Sequence, residues 1–168
     1  RQMCIRDSID NVRIAYLGDS NNMTNSWLNI AARIPLDLRI GTSPETLPDM
    51  VLVSKIQEIG ISSIKVTHSA SEAVDGAVVL YTDVWASMGE KDKIAEREHF
   101  LKEFQINLSL LQYAEKNALV LHCLPAERDK EITCEVIEGR QSVVFDQAEN
   151  RLHAQKAILV QLDKWSQV

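Results

Sequence analysis

The sequence contains no run of about eighteen apolar residues, the length a membrane-spanning helix needs, and its N-terminus lacks the basic, apolar and small-residue succession of a secretory signal. It has no Lys/Arg cluster, and its formal net charge is -6. Nucleic acid is therefore not an expected partner, because phosphate binding needs a basic face, and any anionic ligand must meet local positive charge. The three cysteines, Cys4, Cys123 and Cys134, are odd in number and form no C-x-x-C pair, so neither a disulfide framework nor a zinc site is expected. His68, His99 and His153 have no partners at metal-ligand spacing. The lack of G-x-G-x-x-G argues against a dinucleotide. We expect no cofactor, no metal and no membrane partner, and reduced thiols without a targeting segment point to the cytoplasm.

What is present is one ordinary domain's worth of core: 168 residues, 45% hydrophobic and 25% charged. Short apolar runs alternate with longer amphipathic stretches, the pattern of strands and crossover helices in a parallel sheet. The expected strands are Val12–Leu17, Leu36–Ile40, Ser63–Val66, Ala77–Tyr81, Ala118–His122 and Ser142–Phe145. Helices are expected over Asn22–Arg33, Asp49–Ile59, Lys91–Lys102, Leu108–Lys116 and Glu149–Lys164, with a shorter one over Ile132–Glu138 in which Cys134 packs. Pro48 and Asp49 start the second helix and Gly60 stops it; Asn107 and Gly139 are helix-edge signals of the same kind. The expected fold is α/β, a single domain with a doubly wound, Rossmann-like, mostly parallel sheet flanked by helices. Residues 1–8 have no place in the alternation and read as a leader.

In such sheets ligands bind outside the carboxyl ends of the strands. Three segments there carry chemistry. The first strand runs into Gly18-Asp19-Ser20-Asn21-Asn22, whose amides could bind a carboxylate or an amide-like ligand, although on composition alone the helix N-cap is the favoured reading. The fourth runs into Thr82-Asp83-Val84-Trp85-Ala86-Ser87-Met88-Gly89. Asp83 there can hold an ammonium or serve as a turn residue. The fifth runs into His122-Cys123-Leu124-Pro125, where the thiol is either reactive or a small buried hydrophobe and the imidazole either a ligand or a structural group. Neighbouring residues of a strand point to opposite faces, so His122 and Cys123 share a pocket only where the strand has broken, as Pro125 suggests.

Together, GDSNN, DVWASMG, HCLPAERDKEIT and FDQAENRLHAQKA resemble, in order and spacing, the second domain of ornithine carbamoyltransferases, over residues 9–168. The aspartate-using relatives lack the SMG loop. The resemblance implies a protein of two doubly wound domains, the first binding carbamoyl phosphate and the second ornithine, joined by interdomain helices and assembled as homotrimers. Residues 9–168 would be the ornithine-binding domain with a C-terminal interdomain helix. The first domain's S-T-R-T-R and H-P-x-Q segments do not occur here.

The resemblance also implies roles. Asn22 with Asn21 beside it, Asp83, Ser87 and Met88 match ornithine-binding positions: Asp83 for the α-ammonium; Asn22, Ser87 and the Met88 N–H for the α-carboxylate. Asp83 and Cys123 are the catalytic candidates. His122, Cys123, Leu124 through its carbonyl, and Arg151 are the carbamoyl-phosphate candidates. The chemistry asks for such residues, because neutralising a lysine-like amine of pKa about 10.4 near pH 7 costs about 4 to 5 kcal/mol. The oxyanion formed by attack on the carbamoyl carbon needs preorganised donors.

The implied activity is transfer of the carbamoyl group from carbamoyl phosphate to ornithine, giving citrulline and phosphate in arginine biosynthesis, with the isolated 168 residues inactive. Two alternatives stand beside it: a truncated, non-catalytic amino-acid-binding paralogue, and a carbamoyltransferase for putrescine or an acylated ornithine. Arg128 reads as a solvated loop residue.

Overall fold

A computed structural model of the chain describes residues 9–85 and 94–167. The leader, Ser87 and Met88 lie outside the described residues. Among them five strands, β1 (Val12–Leu17), β2 (Leu36–Gly41), β3 (Ser63–Thr67), β4 (Val79–Thr82) and β5 (Leu119–His122), form one sheet in the order β3-β2-β1-β4-β5. Every pairing in it is parallel. The order reverses at β1, between β2 and β4, which makes the β1/β4 crevice the topological switch point of a doubly wound sheet. The helices are α1 (Asn22–Ala31), α2 (Met50–Ile59), α3 (Ala70–Val74), α4 (Ile94–Leu101), α5 (Leu108–Leu111), α6 (Cys134–Ile137) and α7 (Val144–Ser166). No described helix is long and apolar enough to cross a membrane.

Side-chain alternation along the strands divides the core in two. Ala15, Leu17, Leu80 and Val120 enter one cluster, completed by Leu101, Phe104, Ile106, Ile132 and Val136. Ile14, Tyr16 and Tyr81 enter the other, with Leu28, Leu38, Ile40, Val53 and Ile56, and Leu121 and Cys123 pack against it. Each fully buried Leu or Ile contributes about 1.5–3 kcal/mol, so these layers hold the sheet.

Several boundaries follow from local chemistry. Asp49 caps α2 by accepting from Val51 N–H and Leu52 N–H, and Gly60 closes it in the left-handed region at φ 73°. Asn107 caps α5 by accepting from Leu110 N–H. That helix ends at Leu111, well short of Lys116. α3 was not anticipated, although Ser69, which accepts from Glu72 N–H, and Glu72 three residues on have the Ser-x-x-Glu form of a capping box. The expected strand Ser142–Phe145 is corrected: Ser142 makes a single parallel bridge to Val120, and α7 starts at Val144. A short β-branched and aromatic run fits a buried strand or a helix start equally, and here the helix prevails. Cys134, expected to pack, is only part-buried, 3.5 Å from Asp129 Oδ2.

Candidate functional site

Sheet register places the site. Leu17 of β1 is level with Thr82 of β4, which is level with His122 of β5. Asp83 and Cys123 are therefore the next residues on adjacent strands, on the same face, with strands about 4.8 Å apart. The Cys123 thiol donates to Asp83 Oδ1 at 2.9 Å, and Val84 N–H donates to the same oxygen at 2.8 Å. Asn21 Nδ2 donates to Asp83 Oδ2 at 2.9 Å.

Asn21 is at once a helix cap and a site residue. Its Oδ1 accepts from Met23 N–H at 2.8 Å, which caps α1, and from the Tyr16 hydroxyl at 3.2 Å. With the oxygen fixed by the helix start, the amide can only point its NH₂ outward, and Asp83 receives it. Asn22, the first residue of α1, is exposed beside it. Asp19, two residues earlier, is buried and ion-paired to Arg97 of α4. Gly18 is needed where β1 leaves the sheet: its φ is 120°, and a Cβ there would sit 3.2 Å from the Trp85 ring. Trp85 itself is buried, in the core cluster that contains Leu17 and Phe104.

The floor is aromatic. Tyr16 and Tyr81, paired in register, stack with ring centroids 6.0 Å apart, and Trp27 meets Tyr81 edge-on at 5.3 Å. Gln147 of α7 ties this floor to β5: its Nε2 donates to the Tyr81 hydroxyl at 3.2 Å, and its Oε1 accepts from His122 N–H at 3.1 Å. Burial raises both tyrosines above their ordinary range, so both stay phenols.

Burial first, and the hydrogen bond to Asp83 second, push the Cys123 thiol up to about 12. At neutral pH it is thus a thiol that donates, not a thiolate that accepts a proton. The carboxylate of Asp83 is the anion of this site.

His122 faces the other way, as alternation requires. Its side chain is fully buried, with Nε2 3.1 Å from Glu131 Oε1 and Nδ1 accepting from Leu124 N–H at 2.8 Å. Leu124 takes φ 55°, a left-handed conformation costing a non-glycine residue of order 1–3 kcal/mol, and the peptide bond to Pro125 is cis. Asp83, His122 and Cys123 bring potential ligand atoms within 4.8 Å of one another. Both His122 nitrogens are already engaged, Nδ1 by Leu124 N–H and Nε2 by Glu131, so a metal ion would have to displace a bond of the imidazole, whereas Asp83 Oδ2 has a single donor and can still accept from a ligand.

The structure therefore brings together Asn21, Asp83 and Cys123, with Leu124 next in the chain, and sets His122 behind them. Arg151 is exposed on α7, about two turns from its start. Arg128 pairs with Glu138 at 2.5 Å on the surface. Sequence reasoning missed Tyr16, Tyr81, Glu131 and Gln147. For Tyr81 a signal existed: it lies two residues before Asp83, on the same face of its strand.

The sequence profile described as "Aspartate/ornithine carbamoyltransferase, Asp/Orn binding domain" matches residues 10–162. The ornithine carbamoyltransferase of Synechococcus sp. is 47% identical over 151 residues, which are 89% of this chain and 50% of that protein. The chloroplastic ornithine carbamoyltransferase of Pisum sativum is 45% identical over 151 residues, 90% of this chain and 40% of that one. Among solved structures, the Pyrococcus furiosus ornithine carbamoyltransferase superposes with TM-score 0.84 at 38% identity, covering 94% of this chain and 51% of its own. The anabolic enzyme of Campylobacter jejuni gives TM-score 0.89 at 30% identity, covering 97% and 55%. The chain spans about half the length of the curated relatives it matches. It belongs to the aspartate/ornithine carbamoyltransferase family, of which it carries the Asp/Orn-binding domain.

Proposed function

We propose that this chain is the ornithine-binding half of an ornithine carbamoyltransferase, which transfers the carbamoyl group of carbamoyl phosphate to ornithine to give citrulline and phosphate. The observation that carries the reading is Asp83, a buried carboxylate held on both oxygens by Asn21, Val84 and Cys123 at the switch point of the sheet. A preset anion of this kind suits the α-ammonium of a free amino acid, and the exposed amide of Asn22 suits its carboxylate. Ser87 and Met88 complete the carboxylate contacts in this reading.

Binding the ammonium at Asp83 offsets the negative charge that helps hold the Cys123 thiol protonated. The thiol then stands beside the attacking side-chain amine, and the Leu124 carbonyl accepts from the carbamoyl NH₂. Arg151, on exposed α7, reaches the carbamoyl phosphate only when the first domain is in place. The proposal therefore includes that domain, the joining role of α7, and the homotrimer implied by the family resemblance. It also places the protein in the cytoplasm, in keeping with the unpaired thiols of Cys123 and Cys134.

Two measurements test it. The purified 168 residues are expected to form no citrulline from ornithine and carbamoyl phosphate, and turnover by an uncontaminated sample contradicts the division of labour. In a completed two-domain protein, kcat/KM is expected to favour ornithine strongly over putrescine, which has no α-carboxylate. Equal use of the two amines contradicts the assignment of Asn22, Ser87 and Met88.

A further inference from the structure

The end of β5 serves two faces of the sheet, and the face turned away from the site contains a buried charged residue that binding does not use. Glu131 has no solvent exposure. Its Oε1 accepts from Glu127 N–H at 2.6 Å and lies 3.1 Å from His122 Nε2, while its Oε2 has no partner among the described residues. A buried carboxylate with a bare oxygen is a poor device for stability, since an apolar group of the same size would do as well or better. What it supplies is geometry.

Proton positions follow from the partners. His122 Nδ1 accepts from Leu124 N–H and therefore carries no hydrogen; the ring hydrogen of the neutral imidazole is then on Nε2, aimed at Glu131 Oε1. The opposite tautomer would set Nδ1–H against Leu124 N–H, donor to donor. The Leu124 N–H bond in turn pins a residue at φ 55°, a conformation that persists only where its surroundings hold it. That turn directly follows Cys123.

We propose that Glu131 is a positioning residue for the site: acting through His122, it fixes the Leu124 turn and so keeps the Cys123 thiol against Asp83 and the Leu124 carbonyl toward the substrate side. Its catalytic meaning rests on the carbamoyl-transfer reading, but the geometry can be tested without turnover.

The test uses the 168-residue chain, labelled with ¹⁵N, and its variants Glu131→Gln and Glu131→Leu. Ring-nitrogen NMR reports the His122 tautomer. Alkylation by iodoacetamide at about pH 8, followed residue by residue by mass spectrometry, reports Cys123, with Cys134 as internal control. Wild type and Glu131→Gln, whose amide oxygen still accepts, are expected to show bare Nδ1 and Cys123 rates within about twofold of each other. Glu131→Leu is expected to lose the single tautomer and to alkylate at Cys123 at least about tenfold faster, with Cys134 unchanged.

A Glu131→Leu chain with the wild-type far-UV spectrum and a Cys123 rate within about twofold of wild type overturns the proposal. If that variant loses its fold, the other two chains decide. Bare Nδ1 and slow Cys123 in both support the proposal, and Nδ1–H in either overturns it. Neither readout involves ornithine or citrulline, so failure of the functional reading and failure of this one are distinguishable.

Discussion

At the carboxyl ends of β1, β4 and β5 both oxygens of Asp83 and both side-chain polar atoms of Asn21 have partners, over a floor of buried tyrosines. Along α7 only Val144 is buried, and Leu152, Ile158, Leu159, Leu162 and Trp165 are 51–66% exposed. A helix on the surface of a finished domain buries one apolar stripe. After its first turn α7 buries none, yet it carries that stripe's residues. The contrast separates what the domain completes by itself, a preset anion and its scaffold, from what it offers to something outside it. In our reading that is the carbamoyl-phosphate domain.

Removing the anion should have the largest effect on function. In a completed two-domain protein, Asp83→Ala is expected to weaken ornithine binding by about 2–5 kcal/mol, because it removes one partner of a buried charge pair. Calorimetric titration measures this, and unchanged affinity breaks the assignment of Asp83. An effect of similar size on folding is expected inside the sheet: Leu80→Ala, at a residue with no exposure, should cost about 2–5 kcal/mol in denaturant unfolding of the chain.

A smaller effect comes from pH. In the folded chain the Cys123 thiol titrates near 12, and in the unfolded chain near the usual value of about 8.5. The native state therefore holds its proton where the unfolded state has released it. Stability from this group is intact below about pH 8.5 and is lost as pH rises toward the folded value. Wild type should lose more stability than Cys123→Ser between about pH 8.5 and 10.5. Parallel pH curves for the two proteins would contradict the burial of the thiol.

The smallest effect belongs to α7. Leu159→Ser, at a residue 66% exposed, should change the stability of the isolated chain by less than about 0.5 kcal/mol, although it removes a leucine from a 23-residue helix. The same substitution in a completed protein should weaken domain association. A large loss in the isolated chain would show that α7 already packs on it.

The legibility of the sequence follows the same division. β1 was read to the residue because VRIAYL is a continuous apolar run between turn signals, and α2 because Asp49 and Gly60 mark its ends. α3 was missed despite its capping box, since five residues give too little periodicity to read. Ser142–Phe145 was misread because β-branched composition speaks to burial more than to conformation. In the site, Asn21, Asp83 and Cys123 were legible as loaded strand ends. Tyr16 and Gln147 were not, because each reaches the site through register or across the sheet, and Glu131 was not, because it is linked to the site only through His122 from the opposite face; nothing local in the sequence encodes those pairings. The opposed directions of His122 and Cys123, by contrast, follow from strand alternation alone.

The central claim is that this domain is one working half of a carbamoyltransferase. The most direct measurement joins residues 9–168 to the part of the Synechococcus relative that the chain does not match, and assays citrulline from ornithine and carbamoyl phosphate. We predict turnover by the joined protein and its loss in the Asp83→Ala version, with none from either part alone. A folded joined protein that binds carbamoyl phosphate but makes no citrulline would contradict the account.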